Sequence, residues 1–139
     1  MLYKFEPPIL GELGERTEFD NSTWPPTVTN VAYVFDSYDG EDVAASFPVV
    51  LVRARLRDAL LAAGLTGLAF ERAAVSAADH YDDLSSDVEL PTDWLRMHLG
   101  SPGDDAWRGE PHGITVTDKF VEVVRQFAIA GSVLTPITE

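Results

Sequence analysis

The stretch FPVVLVRARLRDALLAAGLTGLAFERAAV, residues 47 to 75, decides the fold. Val49 to Val52 form a continuous apolar run of strand length, the pattern of a buried strand. Leu56, Ala59, Leu60 and Ala63 then recur at helical spacing, and Gly64 stands where a helix C-terminal cap belongs. The return, LTGLAFERAAV, has strand character again. The segment therefore reads as strand, helix, strand.

The C-terminal GITVTDKFVEVVRQFAIAGSVLTPI, residues 113 to 137, repeats that grammar. Thr117 is a fair N-cap, Asp118 puts a negative charge in the first turn, and Phe120, Val123, Val124 and Phe127 make an apolar stripe. A shift of 64 positions lays Val50 on Ile114, Val52 on Val116, Leu56 on Phe120, Leu60 on Val124, Gly67 on Gly131 and Phe70 on Leu134. The two units are a candidate duplication. Ahead of them, residues 1–27 read as irregular apart from a short strand at LYKFE. TVTNVAYVFDSYDG, residues 27 to 40, reads as a strand with Val31, Tyr33 and Phe35 on one face. WLRMHLG, from Trp94, reads as a strand between two loops. The expected fold is α+β, a mixed or mainly antiparallel sheet with about two main helices packed on it.

The 139 residues predict a single domain over 1–139, with a first unit at 47–78, an acidic loop region at 79–110 and a second unit at 111–139. Twenty-three acids against ten bases leave a formal net charge of −13. Such a field repels nucleic acid and anionic membranes and favours cations or basic proteins. Residues 1–48 carry nine acids and two bases, and residues 73–110 carry the same numbers, so each segment has a net charge of −7. Residues 49–72 have two acids and four bases. The negative charge therefore sits in loop-rich segments, where binding function commonly lies. There are no cysteines, which excludes disulfides and thiolate chemistry. The start MLYKFEPPIL lacks the pattern of a signal peptide, no apolar run is long enough to span a bilayer, and a cytoplasmic location is expected.

DHYDDLSSDVELPTDWLRMHLGSPGDDAW, residues 79 to 107, gathers eight acids around two histidines and two tryptophans. Its spacing matches no helical histidine pair and no calcium loop. Neither a nucleophile elbow nor a phosphate-binding glycine loop occurs in the chain. Adjacent acids such as Asp82 with Asp83 and Asp104 with Asp105 usually lie solvated at the surface. Trp94 is most simply core. Trp24 and Trp107 lie in segments read as loops, where an indole either plugs the loop or anchors a partner.

The order FPVVLVRARLRDALLAAGLTGLAF, ELPTDWLRMHLGSPGDDAW, GITVTDKFVEVVRQF resembles small bacterial immunity proteins of polymorphic toxin systems. The resemblance covers about residues 47–127 and rests on short motifs. It departs at the first helix start, where Arg53 and Ala54 replace a Ser or Thr cap. The metal-binding cysteine pairs of some relatives are missing, so no cofactor is expected. The resemblance implies a non-enzymatic inhibitor of one cognate, basic toxin domain. The residues expected to meet that partner are Asp79, Asp82, Asp83, Asp87, Glu89, Asp104, Asp105 and Trp107, with charge reversal at Asp82, Asp83, Asp104 and Asp105 abolishing protection and leaving stability nearly unchanged. Two other readings stand beside it: a small metal-dependent hydrolase using His80 or His98 with nearby aspartates, and a general acidic interaction domain. The sequence does not fix the oligomeric state.

Overall fold

The computed structural model describes residues 1–23, 26–79, 81, 89–109 and 113–137. Among these the architecture is α+β, with strands far outnumbering helices. The strands are β1 (Leu2–Glu6), β2 (Gly11–Leu13), β3 (Glu18–Asp20), β4 (Thr27–Thr29), β5 (Ala32–Phe35), β6 (Val43–Ser46), β7 (Val49–Arg53), β8 (Ala69–Arg72), β9 (Ala74–Ala77), β10 (Trp94–His98), β11 (Ala106–Arg108), β12 (Ile114–Thr117) and β13 (Val133–Ile137). The helices are α1 (Ala54–Ala62), after β7, and α2 (Asp118–Val124), after β12.

Both expected units form. Leu56 and Leu60 bury the inner side of α1, and Gly64, at φ +73°, ends it. The amide of Gly64 donates to Leu61 and that of Leu65 to Leu60, the paired bonds of a Schellman cap. At its start Arg53 provides no side-chain cap. The Ala54 amide donates instead to the carbonyl of Asp93, so a distant loop supplies the missing acceptor. In α2 the Thr117 hydroxyl accepts from the Phe120 amide at 3.4 Å, as the sequence predicts.

The strands form two four-stranded sheets, ordered β6-β7-β10-β8 and β11-β12-β1-β13, with a three-stranded sheet β2-β5-β9 and the hairpin β3-β4. The two larger sheets match rung for rung. Val52 faces Val43 on one side and Leu95 on the other, and Leu95 faces Arg72. In the second sheet Val116 faces Ala106 and Tyr3, and Tyr3 faces Pro136. The 64-residue shift thus holds in the hydrogen-bond register, from Val52 to Val116 and from Arg72 to Pro136. Each repeat is a hairpin, a helix and a returning strand, with a further strand slotted between. That inserted strand is β10 in the first repeat. In the second it is β1, from the opposite end of the chain.

Side-chain pattern follows from what covers each face. Val50 and Val52 join Leu56, Leu60, Met97, Phe5, Ile114, Val116, Phe120 and Val124 in a core shared by the two repeats. Val49 and Leu51 point the other way, into a second core with Tyr33, Phe35, Tyr38, Ala44 and Trp94. The run VVLV is continuous because β7 is buried on both faces. In β12 only Ile114 and Val116 are buried, so the sequence alternates as ITVT.

Three sequence expectations are corrected. The strand expected within residues 27–40 is two strands, β4 and β5, broken where Asn30 takes a left-handed φ of +53°. The irregular N-terminal stretch includes β2 and β3, paired to β5 and β4. Trp107 lies in strand β11 opposite Thr115, not in a loop. No described helix is long and apolar enough to cross a membrane.

Candidate functional site

The two segments of net charge −7 meet at one end of the small sheet. Strands β5 and β9 run parallel with Phe35 beside Ala77, so their C-terminal ends coincide. The Ala78 amide donates to the Phe35 carbonyl at 2.8 Å, and the Tyr81 amide to Ala78 at 2.9 Å. On the other side the Asp36 amide donates to Leu10 at 2.8 Å. Asp36 and Asp79 therefore leave the sheet together. Tyr38, in the following turn, packs edge-on against Trp94 at 5.8 Å, with Tyr81 and Leu90 in the same core. The exposed acids Asp39, Asp79 and Glu89 lie within two residues of these core side chains along the chain. Asp82, Asp83 and Asp87, like His80, His112 and Trp24, lie outside the described residues.

Asp93 marks the border of this region. Its carboxylate pairs with Arg53, which also donates to the Tyr38 hydroxyl at 3.0 Å. Partial burial pushes the Asp93 carboxyl up, but the Arg53 hydrogen bond and charge outweigh it and leave it below the ordinary range.

Asp104 and Asp105 are employed differently: their carboxylates are engaged inside the molecule. Asp104 accepts from the Ser101 amide at 2.8 Å and fills the space beside Gly67 and Gly100, where an added Cβ would lie 2.6 and 2.4 Å from its atoms. Asp105 accepts from the Thr66 amide at 2.8 Å and the Thr117 hydroxyl at 2.7 Å. Partial burial raises its carboxyl, while these donors, the Thr66 hydroxyl and the Lys119 charge pull it below the usual value. The picture of Asp104 and Asp105 as freely solvated acids is corrected accordingly. Trp107 is half-buried beside them.

Asp105 has a counterpart that the sequence reading did not single out. Asp42, fully buried, receives the Ala128 amide at 2.8 Å and Nε and Nη2 of Arg55, at 2.6 and 2.9 Å. The main-chain bonds match as well. Asp42 donates to Ala128 and accepts from Arg53, just as Asp105 donates to Thr66 and accepts from Thr117. Each repeat thus begins with an aspartate that clamps the loop after the other repeat's helix. The signal was present in the sequence. Gly40-Glu41-Asp42 and Gly103-Asp104-Asp105 are parallel triplets, and both glycines have positive φ, +97° and +104°.

Among the described residues His98 meets no aspartate. Its Nε2 lies 2.8 Å from Glu71 Oε1, and the Arg96 guanidinium is 3.8 Å from the same oxygen. Among the described residues no group of three or more His, Asp or Glu is placed to hold a metal ion. An apolar cleft of about 550 Å³ opens at the seam of the two repeats, between Phe5 and Ile114 on one side and Phe47 and Val50 on the other. Family models, curated proteins and solved structures offer no match to the chain.

Proposed function

We propose that the chain is a non-enzymatic immunity protein that binds and neutralises a cognate, basic bacterial toxin domain through its acidic end. The observation that carries this reading is the meeting of the two acidic segments at the C-terminal ends of β5 and β9. A charge assembled from two distant stretches raises the local field more than either alone, and such fields speed encounter with a basic partner. Among the described residues the acids whose titration is displaced, Asp20, Asp93 and Asp105, are all displaced downward and stay ionised at neutral pH. That favours electrostatic attraction over proton transfer, which calls for a raised carboxyl. Against a hydrolase built on His98 stands Arg96, a cation beside the only carboxylate that His98 meets among the described residues.

The test is association kinetics with the toxin domain encoded beside the gene. In the triple variant Asp39→Lys, Asp79→Lys, Glu89→Lys the association rate falls about tenfold or more at low salt and approaches the wild-type rate at high salt. Its melting temperature stays within about 2 °C, since these side chains are exposed. An unchanged rate at low salt, or no wild-type binding to the neighbouring toxin, refutes the proposal.

A further inference from the structure

The basic residues identify a second site, distinct from the acidic end. The chain has ten lysines and arginines among twenty-three acids, so a base is expected to find a carboxylate. Most have found a partner. Lys4, Arg53, Arg55, Arg57 and Arg96 meet carboxylates. Arg108 donates to the Pro48 carbonyl, Arg125 lies over the Tyr3 ring, and Lys119 acts on Asp105. The two with no partner among the described residues are Arg16 and Arg72, and both line one polar cleft of about 640 Å³. Two unpaired cations sharing one concavity in so acidic a chain is not what scattered solvation would give.

The scaffold beneath them is fixed. Arg16 precedes Thr17, whose nearly buried hydroxyl accepts from the Ala32 amide at 3.0 Å and donates to the Ala32 carbonyl at 3.2 Å. Arg72 ends β8, and two residues later the Ala74 amide donates to the Val31 carbonyl at 3.1 Å. The segments that carry the two arginines are thus tied, through Thr17 and Ala74, to the same dipeptide, Val31-Ala32, in the cleft wall. The adjoining Asn30 is the left-handed corner, held by its bond to Glu18 at 2.8 Å. Residues kept in such sparsely populated conformations gather at ligand sites. Glu71, also in the wall, meets His98 at 2.8 Å and Arg96 at 3.8 Å through Oε1, which leaves Oε2 to suit a ligand hydroxyl. The cleft sits at the N-terminal ends of β5 and β9, opposite the acidic end and about 10 Å from it by strand rise. Two carboxylates stand nearer, Glu71 in the cleft wall and Glu18 bonded to Asn30 and Thr29.

We infer that this cleft binds a small hydroxylated oxyanion, a phosphate monoester or a carboxylate, held between the guanidinium groups of Arg16 and Arg72. Its volume lies within the range of small-molecule pockets, and guanidinium groups match the geometry of phosphate and carboxylate. The site is independent of the toxin-binding reading.

The test is amide chemical-shift titration of the ¹⁵N-labelled full chain with inorganic phosphate, glycerol 3-phosphate and gluconate. The expected result is saturable shifts at Val31, Ala32, Ala73 and Ala74 with half-saturation below about 5 mM for at least one probe. A response to the phosphates alone identifies phosphate recognition, and a response to gluconate alone identifies carboxylate recognition. Affinity falls about tenfold or more in Arg16→Gln, Arg72→Gln. It stays within about twofold in Arg57→Gln, Arg125→Gln, which removes the same charge elsewhere. Absence of saturable shifts at those amides with all three probes, or equal losses in both double variants, overturns the inference. The titration of the unchanged protein decides the matter even if a variant fails to fold.

Discussion

Replacing Asp105 with alanine separates a structural acid from a binding one. The substitution leaves the Thr66 amide and the Thr117 hydroxyl, now 2.8 and 2.7 Å from carboxylate oxygens, without their acceptor. It also loosens the link between the loop after α1 and the start of α2. Each hydrogen bond to a charged group contributes about 1.5–3 kcal/mol when shielded. Asp105 is only half-buried, so water replaces part of each bond. The expected loss is about 2–4 kcal/mol, or a fall in melting temperature of roughly 6–12 °C for a chain of this size. Asp105→Asn keeps the shape and one acceptor and loses about half as much. The pH dependence has a definite sign. The folded-state carboxyl is depressed, so its contribution is complete above the unfolded value near pH 4 and disappears as pH falls through the lower folded value. Below that window wild type and Asp105→Asn converge in stability. Urea unfolding from pH 7 down to pH 2, with Asp79→Ala as the exposed control, measures all of this. A loss under about 0.5 kcal/mol at pH 7, or one no larger than that of the control, refutes the clamp.

Two further outcomes test the repeat. Asp42→Asn weakens the matching clamp by about 2–3 kcal/mol in denaturant unfolding, limited by the solvent that reaches Arg55, while toxin or anion binding per folded molecule is unchanged. Gly67→Ala and Gly40→Ala both place a side chain at positive φ, costing about 1–2 kcal/mol each. Only at Gly67 does the new Cβ also meet Asp104, at 2.6 Å, so Gly67→Ala has the lower melting temperature; equal values reject the close contact.

The units around α1 and α2 were legible because their signals are local. Apolar spacing, Gly64 and Thr117 each act within a few residues. The partners of those units were not legible. β1 and β10 are ordinary five-residue strands, and nothing in LYKFE names β12 and β13 as its neighbours. Asp104 and Asp105 illustrate the same limit at the site. An adjacent acid pair reads as solvated surface, yet the positive-φ turn at Gly103 feeds both carboxylates inward onto Ser101, Thr66 and Thr117. The charge totals did foretell two acidic segments, but only the parallel pairing of β5 with β9 brings them together.

The slot that β1 fills bears on how the chain reaches this fold. The first repeat has all its strands once residue 98 has been made. The second gains the neighbours of its inner strand only at residues 117 and 137, although that strand is made before all the other described ones. Through most of synthesis β1 is an apolar segment with two open edges, a species prone to wrong pairing. Lys4 and Glu6, the charged residues within it, suit the part of gatekeepers. When β1 docks, Leu2 comes to lie directly opposite Ile137, so the first of the described strands is paired with the last.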